Sequence, residues 1–270
     1  MLNTKFIELD GIKVRISEYG SGPAVLFIHG FPETLQAWRK NVPSFAERHR
    51  AVAFDLVGLG DSDKADYDYS CIGLGRFTLR LMETLEIDKA HLVGADSGAL
   101  VALAAAALDP ARVDKLVIFS GTAYPSGISA FEVRLMMAPL LGDLIFLPFG
   151  ALGLRAGLRK GFFDVSFLEK PTLDEYVRCL STVRSRWIAL RLMRELGRGA
   201  DEIMAKLRAK SPPALILWAE HERYFYPWVP ERLSQDLKGS KLEYITDSGH
   251  FIQEEKADLF NKRVVEFLSS

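Results

Sequence analysis

Between Phe6 and Thr122 the chain alternates short, almost wholly apolar runs with longer stretches whose apolar residues recur at helical spacing. The runs Ala24–Ile28, Ala51–Phe54, His91–Gly94 and Lys115–Phe119 are continuous rather than alternating in and out. That pattern predicts strands covered by helices on both faces. Amphipathic stretches around Phe45 and Phe77, and an Ala-rich segment after Ser97, supply the intervening helices. The rhythm is that of a mostly parallel sheet in a three-layer α/β domain. From Tyr124 to Lys210 strand-like runs disappear, and helical segments broken by Gly and Pro replace them. At Ser211-Pro212-Pro213 the rhythm resumes, with strands expected at Ala214–Trp218 and Lys241–Ile245 and a terminal helix near Glu254. The expected organisation is an α/β core from 1–123, a helical cap from 124–210, and the rest of the core from 211–270.

Composition narrows the classes. Hydrophobic residues at 49% and charged residues at 26% exclude a disordered or collagen-like chain. Lys+Arg 34 against Asp+Glu 35 leaves a net charge of -1, without the basic footprint of a nucleic-acid binder. Cys71 and Cys179 stand far apart and form neither a disulfide framework nor a metal-ligand pattern. The opening Met1–Phe6 lacks a secretory pattern, and the longest apolar run, Ala99–Leu108, is about half the ~20 residues of a membrane span. A cytoplasmic protein acting on a small molecule, without nucleic acid and without stable membrane insertion, is expected.

Ligands of parallel α/β sheets bind beyond the carboxyl ends of the strands, so the loops there carry the candidate chemistry. Gly94-Ala95-Asp96-Ser97-Gly98-Ala99 lies between a strand and a helix and has the form of a nucleophile elbow with Asp at the reactive position. Read one residue later, Ser97 would attack, and Asp96 as a mere helix cap is the bland alternative. In His29-Gly30-Phe31-Pro32 the Phe31 N–H can join that of Ser97 as an oxyanion hole. Trp218-Ala219-Glu220-His221-Glu222 offers an acid, Glu222 before Glu220, and Ser248-Gly249-His250-Phe251 a base. Asp96, Glu222 and His250 thus follow the order nucleophile, acid, base.

These motifs, with Trp38-Arg39 and Asp55-Leu56-Val57-Gly58-Leu59-Gly60-Asp61-Ser62-Asp63-Lys64, resemble the α/β-hydrolases. Within them the chain is similar to the Asp-nucleophile branch of haloalkane and haloacetate dehalogenases and epoxide hydrolases. The resemblance implies an eight-stranded, mostly parallel sheet flanked by helices, with an inserted helical cap. A carboxylate nucleophile attacking sp3 carbon gives an alkyl ester of the enzyme, which His250, oriented by Glu222, hydrolyses through activated water. No metal or organic cofactor is required. Carbon–halogen cleavage is the first expectation, an epoxide hydrolase the second, and a non-enzymatic receptor on the same fold the different-class alternative.

The chain departs from each subgroup. Ser97 stands where haloalkane dehalogenases carry a halide-holding Trp, Phe31 where they carry Asn, and Ser97 and Leu100 where haloacetate dehalogenases carry arginines. Met193 occupies the place of an epoxide-hydrolase cap tyrosine. Tyr124 and Tyr176 are left as proton-donor candidates, and Trp187 and Phe162 as lining of the substrate pocket; ordinary cap packing competes with each. Arg184, Arg186 and Arg191 could select an anionic substrate or form a solvated face. The apolar stretch from Met136 to Leu154, broken by Pro139, Gly142, Asp143 and Pro148, reads as a lid over the site, with a homodimer or membrane-surface contact as alternatives.

Overall fold

The computed structural model describes residues 1–270, apart from the side chains of Ala151 and Leu152. Eight strands form one sheet in the order β1-β2-β4-β3-β5-β6-β7-β8. They are β1 (Lys5–Leu9), β2 (Ile12–Tyr19), β3 (Ala24–Ile28), β4 (Arg50–Phe54), β5 (Ala90–Ala95), β6 (Val113–Phe119), β7 (Ala214–Ala219) and β8 (Lys241–Ile245). All neighbours from β4 to β8 are parallel, while β1 and β2 form an antiparallel edge. The six expected strands match β3 to β8 within two residues at each end. No run in the sequence singled out β1 and β2, because an edge hairpin with one exposed face lacks the continuous apolar signature.

Period-2 geometry divides each central strand between two cores. Leu26 and Ile28 of β3, with Leu116 and Ile118 of β6, face the helices Cys71–Thr84 and Ser97–Leu108. Val25 and Phe27, with Val117 and Phe119, face the opposite layer, where Trp38, Phe45 and Phe260 pack. Trp38 anchors that layer: its ring lies 5.1 Å from Phe27 and 5.7 Å from Phe119, the latter edge-on. The run Ala99–Leu108 is indeed helical, and its small side chains let it pack closely on β5, β6 and the helix Cys71–Thr84.

Between β6 and β7 the chain is helical, with Phe131–Met137, Leu141–Gly161, Lys170–Cys179, Val183–Glu195 and Ala200–Ala209. A partly buried charge cluster fastens this insert to the core. Arg15 on β2 reaches Asp61 and, in the insert, Glu175, each at 2.9 Å, and lies 3.5 Å from Asp55. Arg178 of the insert closes on Asp61 at 2.8 Å. Asp55 also accepts the N–H groups of Leu35 and Asp61, which offset the desolvation that lifts its carboxyl to about 6.

Trp38→Ala removes a fully buried ring from between Phe27, Phe119 and Phe260. The expected loss is about 3–5 kcal/mol of unfolding free energy, measured by urea denaturation. A loss below about 1 kcal/mol would mean that this layer repacks freely.

Candidate active site

Asp96 sits on the turn from β5 into the helix Ser97–Leu108 at φ 50° and ψ -118°, a conformation held by its surroundings. The small residues on either side are obligatory. A Cβ on Gly94 would lie 2.5 Å from the Gly98 carbonyl oxygen, and one on Gly98 would lie 2.3 Å from that of Ile28. The helix therefore lies too close to β5 and to the end of β3 for side chains at these positions, and the turn pushes the Asp96 carboxylate into a cavity. Ser97 begins the helix, and its hydroxyl is buried away from the cavity wall without a hydrogen-bond partner.

Asp96 Oδ1 accepts the Phe31 N–H at 2.9 Å. The Ser97 N–H also stabilises the charged form. His29 shapes the loop that presents Phe31. Its Nδ1 donates to the Gly30 carbonyl at 2.8 Å and its Nε2 accepts the Leu56 N–H at 3.1 Å. Burial holds that ring neutral, with its pKa lowered to about 4. Glu33 braces the same loop by accepting the Gly30 N–H and the Gln253 side-chain amide, both at 3.0 Å. Its carboxyl is fully enclosed, and desolvation raises its pKa to about 8. Glu33 is a site residue that the spacing of the motifs did not single out, since nothing local marks a carboxylate as buried.

His250 Nε2 lies 3.7 Å from Asp96 Oδ2, and its Nδ1 lies 2.9 Å from Glu222 Oε2. Glu222 Oε1 further accepts the N–H groups of Arg223 and Tyr224. The histidine loop is tied down on three sides: the His250 N–H to the Gly161 carbonyl at 2.7 Å, the Gly249 N–H to Glu255 at 2.7 Å, and the Ser248 hydroxyl to Ile245. A Cβ on Gly249 would strike the Gly161 carbonyl at 2.3 Å, which explains the glycine before the histidine.

Electrostatics follow from this closeness. Burial alone would strip His250 of its proton, but Glu222 and Asp96 reverse that and lift its pKa to about 9. Burial raises the Asp96 carboxyl, opposed by His250 and the two N–H groups. Glu222 is lowered because His250 and the neighbouring N–H groups outweigh its desolvation.

The cavity over Asp96 has a volume of about 380 Å³, within the range of small-molecule sites. Core residues Phe31, Tyr224, Phe225 and Phe251 form one side; Met136, Ile145, Phe146, Phe149 and Met193 of the insert form the other. The expected pocket residues lie elsewhere. Trp187 is half-exposed and stacks under Arg191; Tyr124 donates to Asp236 at 2.7 Å; Tyr176 is enclosed beside Arg39; Phe162 stacks behind Phe251 at 4.6 Å. The three arginines also stand apart: Arg186 donates to the Leu147, Leu180 and Ser181 carbonyls, Arg191 pairs with Asp66 and Glu195, and Arg184 reaches the Lys64 carbonyl. Residue type within the insert marked these side chains but could not say which of them turn inward. Met193, at the tyrosine place, does line the cavity, and so does Tyr224, whose hydroxyl donates to the Gly157 carbonyl at 2.6 Å.

Among groups of three or more carboxylate, His or Cys side chains, the described residues bring together Glu220, His221 and Asp247, on the surface away from this cavity.

The protonation pattern has a testable sign. His250 at about 9 against its ordinary 6.5, and Glu33 at about 8 against 4.5, both bind protons more tightly in the fold than in the unfolded chain. Their stabilisation is full below the lower value and disappears as pH rises through the upper one. The urea midpoint should fall between pH 6 and pH 9, and Glu222→Gln should flatten that fall. A midpoint rising over this interval contradicts the assignment.

A family model described as alpha/beta hydrolase fold matches residues 23–257. A haloalkane dehalogenase of Mesorhizobium japonicum is 27% identical, over 96% of this chain and 89% of its own length. Epoxide hydrolase 2 of Caenorhabditis elegans is 26% identical, over 99% of this chain and 80% of its own. The solved structure of the epoxide hydrolase CorEH without ligand superposes with a TM-score of 0.87 at 22% identity, covering 100% of this chain and 99% of that one. With its eight-stranded sheet and the Asp96 elbow at the end of β5, the chain belongs to the α/β-hydrolase family and is an enzyme of the hydrolase type.

Proposed function

We propose that the chain hydrolyses small, uncharged electrophiles through an alkyl ester on Asp96, with carbon–halogen cleavage as the first reaction. The observation that carries this is the position of the Asp96 carboxylate: at the cavity wall, gripped at Oδ1 by the Phe31 N–H, with His250 beside Oδ2. A carboxylate attacking an ester would form an anhydride, whereas attack on sp3 carbon forms a stable ester and releases halide with the bonding electrons. Loss of the Asp96 charge then weakens the hold of His250 on its proton, since that charge is one of those raising it. Neutral His250 takes a proton from water, and the resulting hydroxide attacks the Asp96 carboxyl carbon. The oxyanion is held by the Phe31 and Ser97 N–H groups, and its collapse expels the alkoxide, which recovers the proton from His250.

The lining supports an uncharged substrate, because the arginines of the cap are engaged elsewhere and the described wall is almost wholly apolar. A second reading, epoxide opening, rests on Tyr224. Among the described residues of the wall it carries a hydroxyl, which would protonate the departing alkoxide by turning its proton from the Gly157 carbonyl to the substrate.

Intact-protein mass spectrometry of His250→Ala after exposure to haloalkane and epoxide panels tests both. An adduct on Asp96 equal to substrate minus hydrogen halide supports the first reading, and one equal to the whole substrate supports the second. Asp96→Asn should take up neither. Acylation of Ser97 by simple esters would overturn the Asp-nucleophile mechanism. Tyr224→Phe should slow labelling by epoxides about a hundredfold and leave labelling by haloalkanes nearly unchanged.

A further inference from the structure

The cap helix Leu141–Gly161 is apolar on two sides in its first half. Its inward side, with Phe146 and Leu154, packs over the cavity, yet its outward side carries Leu141, Leu144, Ile145, Pro148 and Phe149. Leu140 is 79% exposed, Leu144 72%, Phe149 62%, and Phe131 on the preceding helix 70%. A helix apolar all round is stable in water only when its outer side is covered. Together the segments Phe131–Met137 and Leu141–Gly150 have the hydropathy of a membrane span, but they meet at 104°. That bend prevents a straight crossing and suits a wedge lying in the plane of an apolar–water boundary.

Charge identifies the boundary. Arg134 and Arg159, on the same two helices, are exposed and have no carboxylate partner among the described residues. Lys160 adds a further cation, paired with Glu132, while the nearby Asp143 is engaged by Arg194. A cationic fringe around an apolar wedge matches the headgroups of an anionic lipid bilayer.

We propose that this face of the cap docks on anionic lipid bilayers. Ile145 and Phe149 belong both to the exposed face and to the cavity wall, so the docked face adjoins the cavity. The same helix reaches the catalytic loops at its far end, through the Gly157 carbonyl to Tyr224 and the Gly161 carbonyl to His250. The docking itself does not depend on which substrate the site takes.

The test is flotation of the intact chain with vesicles of phosphatidylcholine alone and of phosphatidylcholine mixed equally with phosphatidylglycerol. The chain should float with the mixed vesicles, less with the neutral ones, and should be partly released by high salt. Leu140→Glu with Leu144→Glu should reduce partition about tenfold or more, and Arg159→Glu should weaken binding to the mixed vesicles alone. All three side chains are exposed and outside the cavity wall, so unchanged thermal unfolding and unchanged labelling of Asp96 confirm that fold and site persist. Absence of flotation overturns the proposal, as does flotation indifferent to the double variant. So does a dimer in light scattering that Leu144→Glu dissociates while no vesicle is bound.

Discussion

The close approach of β5 to the helix after it governs the site. Gly94 lets β5 approach that helix, and Gly98 lets the helix approach the end of β3, within distances that no Cβ tolerates, and Asp96 between them turns through a strained conformation. That strain places the Asp96 carboxylate at the cavity wall, in reach of the Phe31 and Ser97 N–H groups. The two central β-strands β3 and β5 run parallel in register, so the Phe31 loop and the elbow emerge side by side. Local strain of this kind costs on the order of 1–3 kcal/mol, which the two packed cores of the sheet readily carry.

Desolvation supplies the next link. Asp96, His250 and Glu222 share a water-poor space, where each charge is tolerable because its neighbour opposes it. Glu222 and Asp96 sustain the imidazolium, and the imidazolium sustains both carboxylates. On the proposed mechanism this balance is also the timing device. Esterification cancels the charge of Asp96, and the histidine becomes a base only when there is an ester to hydrolyse. Glu33, fully buried behind the loop, keeps the Phe31 N–H aimed at the carboxylate through its bond to Gly30.

The helical insert between β6 and β7 touches the site in two ways. Its long helix supplies apolar wall to the cavity, while its terminal carbonyls bond directly to Tyr224 and to the backbone of His250. The Arg15–Glu175 and Arg178–Asp61 pairs hold the insert to the core at another point. Displacing this helix would therefore change both the shape of the cavity and the anchoring of His250.

Much of the architecture was legible without coordinates. Continuous apolar runs marked β3 to β8, because a strand buried on both faces admits few polar residues, and the elbow was legible because its glycines are demanded by local geometry. What escaped was set by side-chain direction and long-range burial. Trp187 and Tyr124 have the composition of pocket residues but turn outward or toward Asp236, whereas Tyr224 and Met193 turn in. Glu33 is enclosed in the fold, where it accepts a hydrogen bond from Gln253, 220 residues away. The sequence by itself determined the six parallel strands, the order of Asp96, Glu222 and His250 along the chain and the turn at Asp96, because apolar runs and small flanking residues are local patterns. Only the tertiary structure decided the wall of the cavity and the protonation of Glu33 and His250, because desolvation and helix orientation are properties of the packed whole.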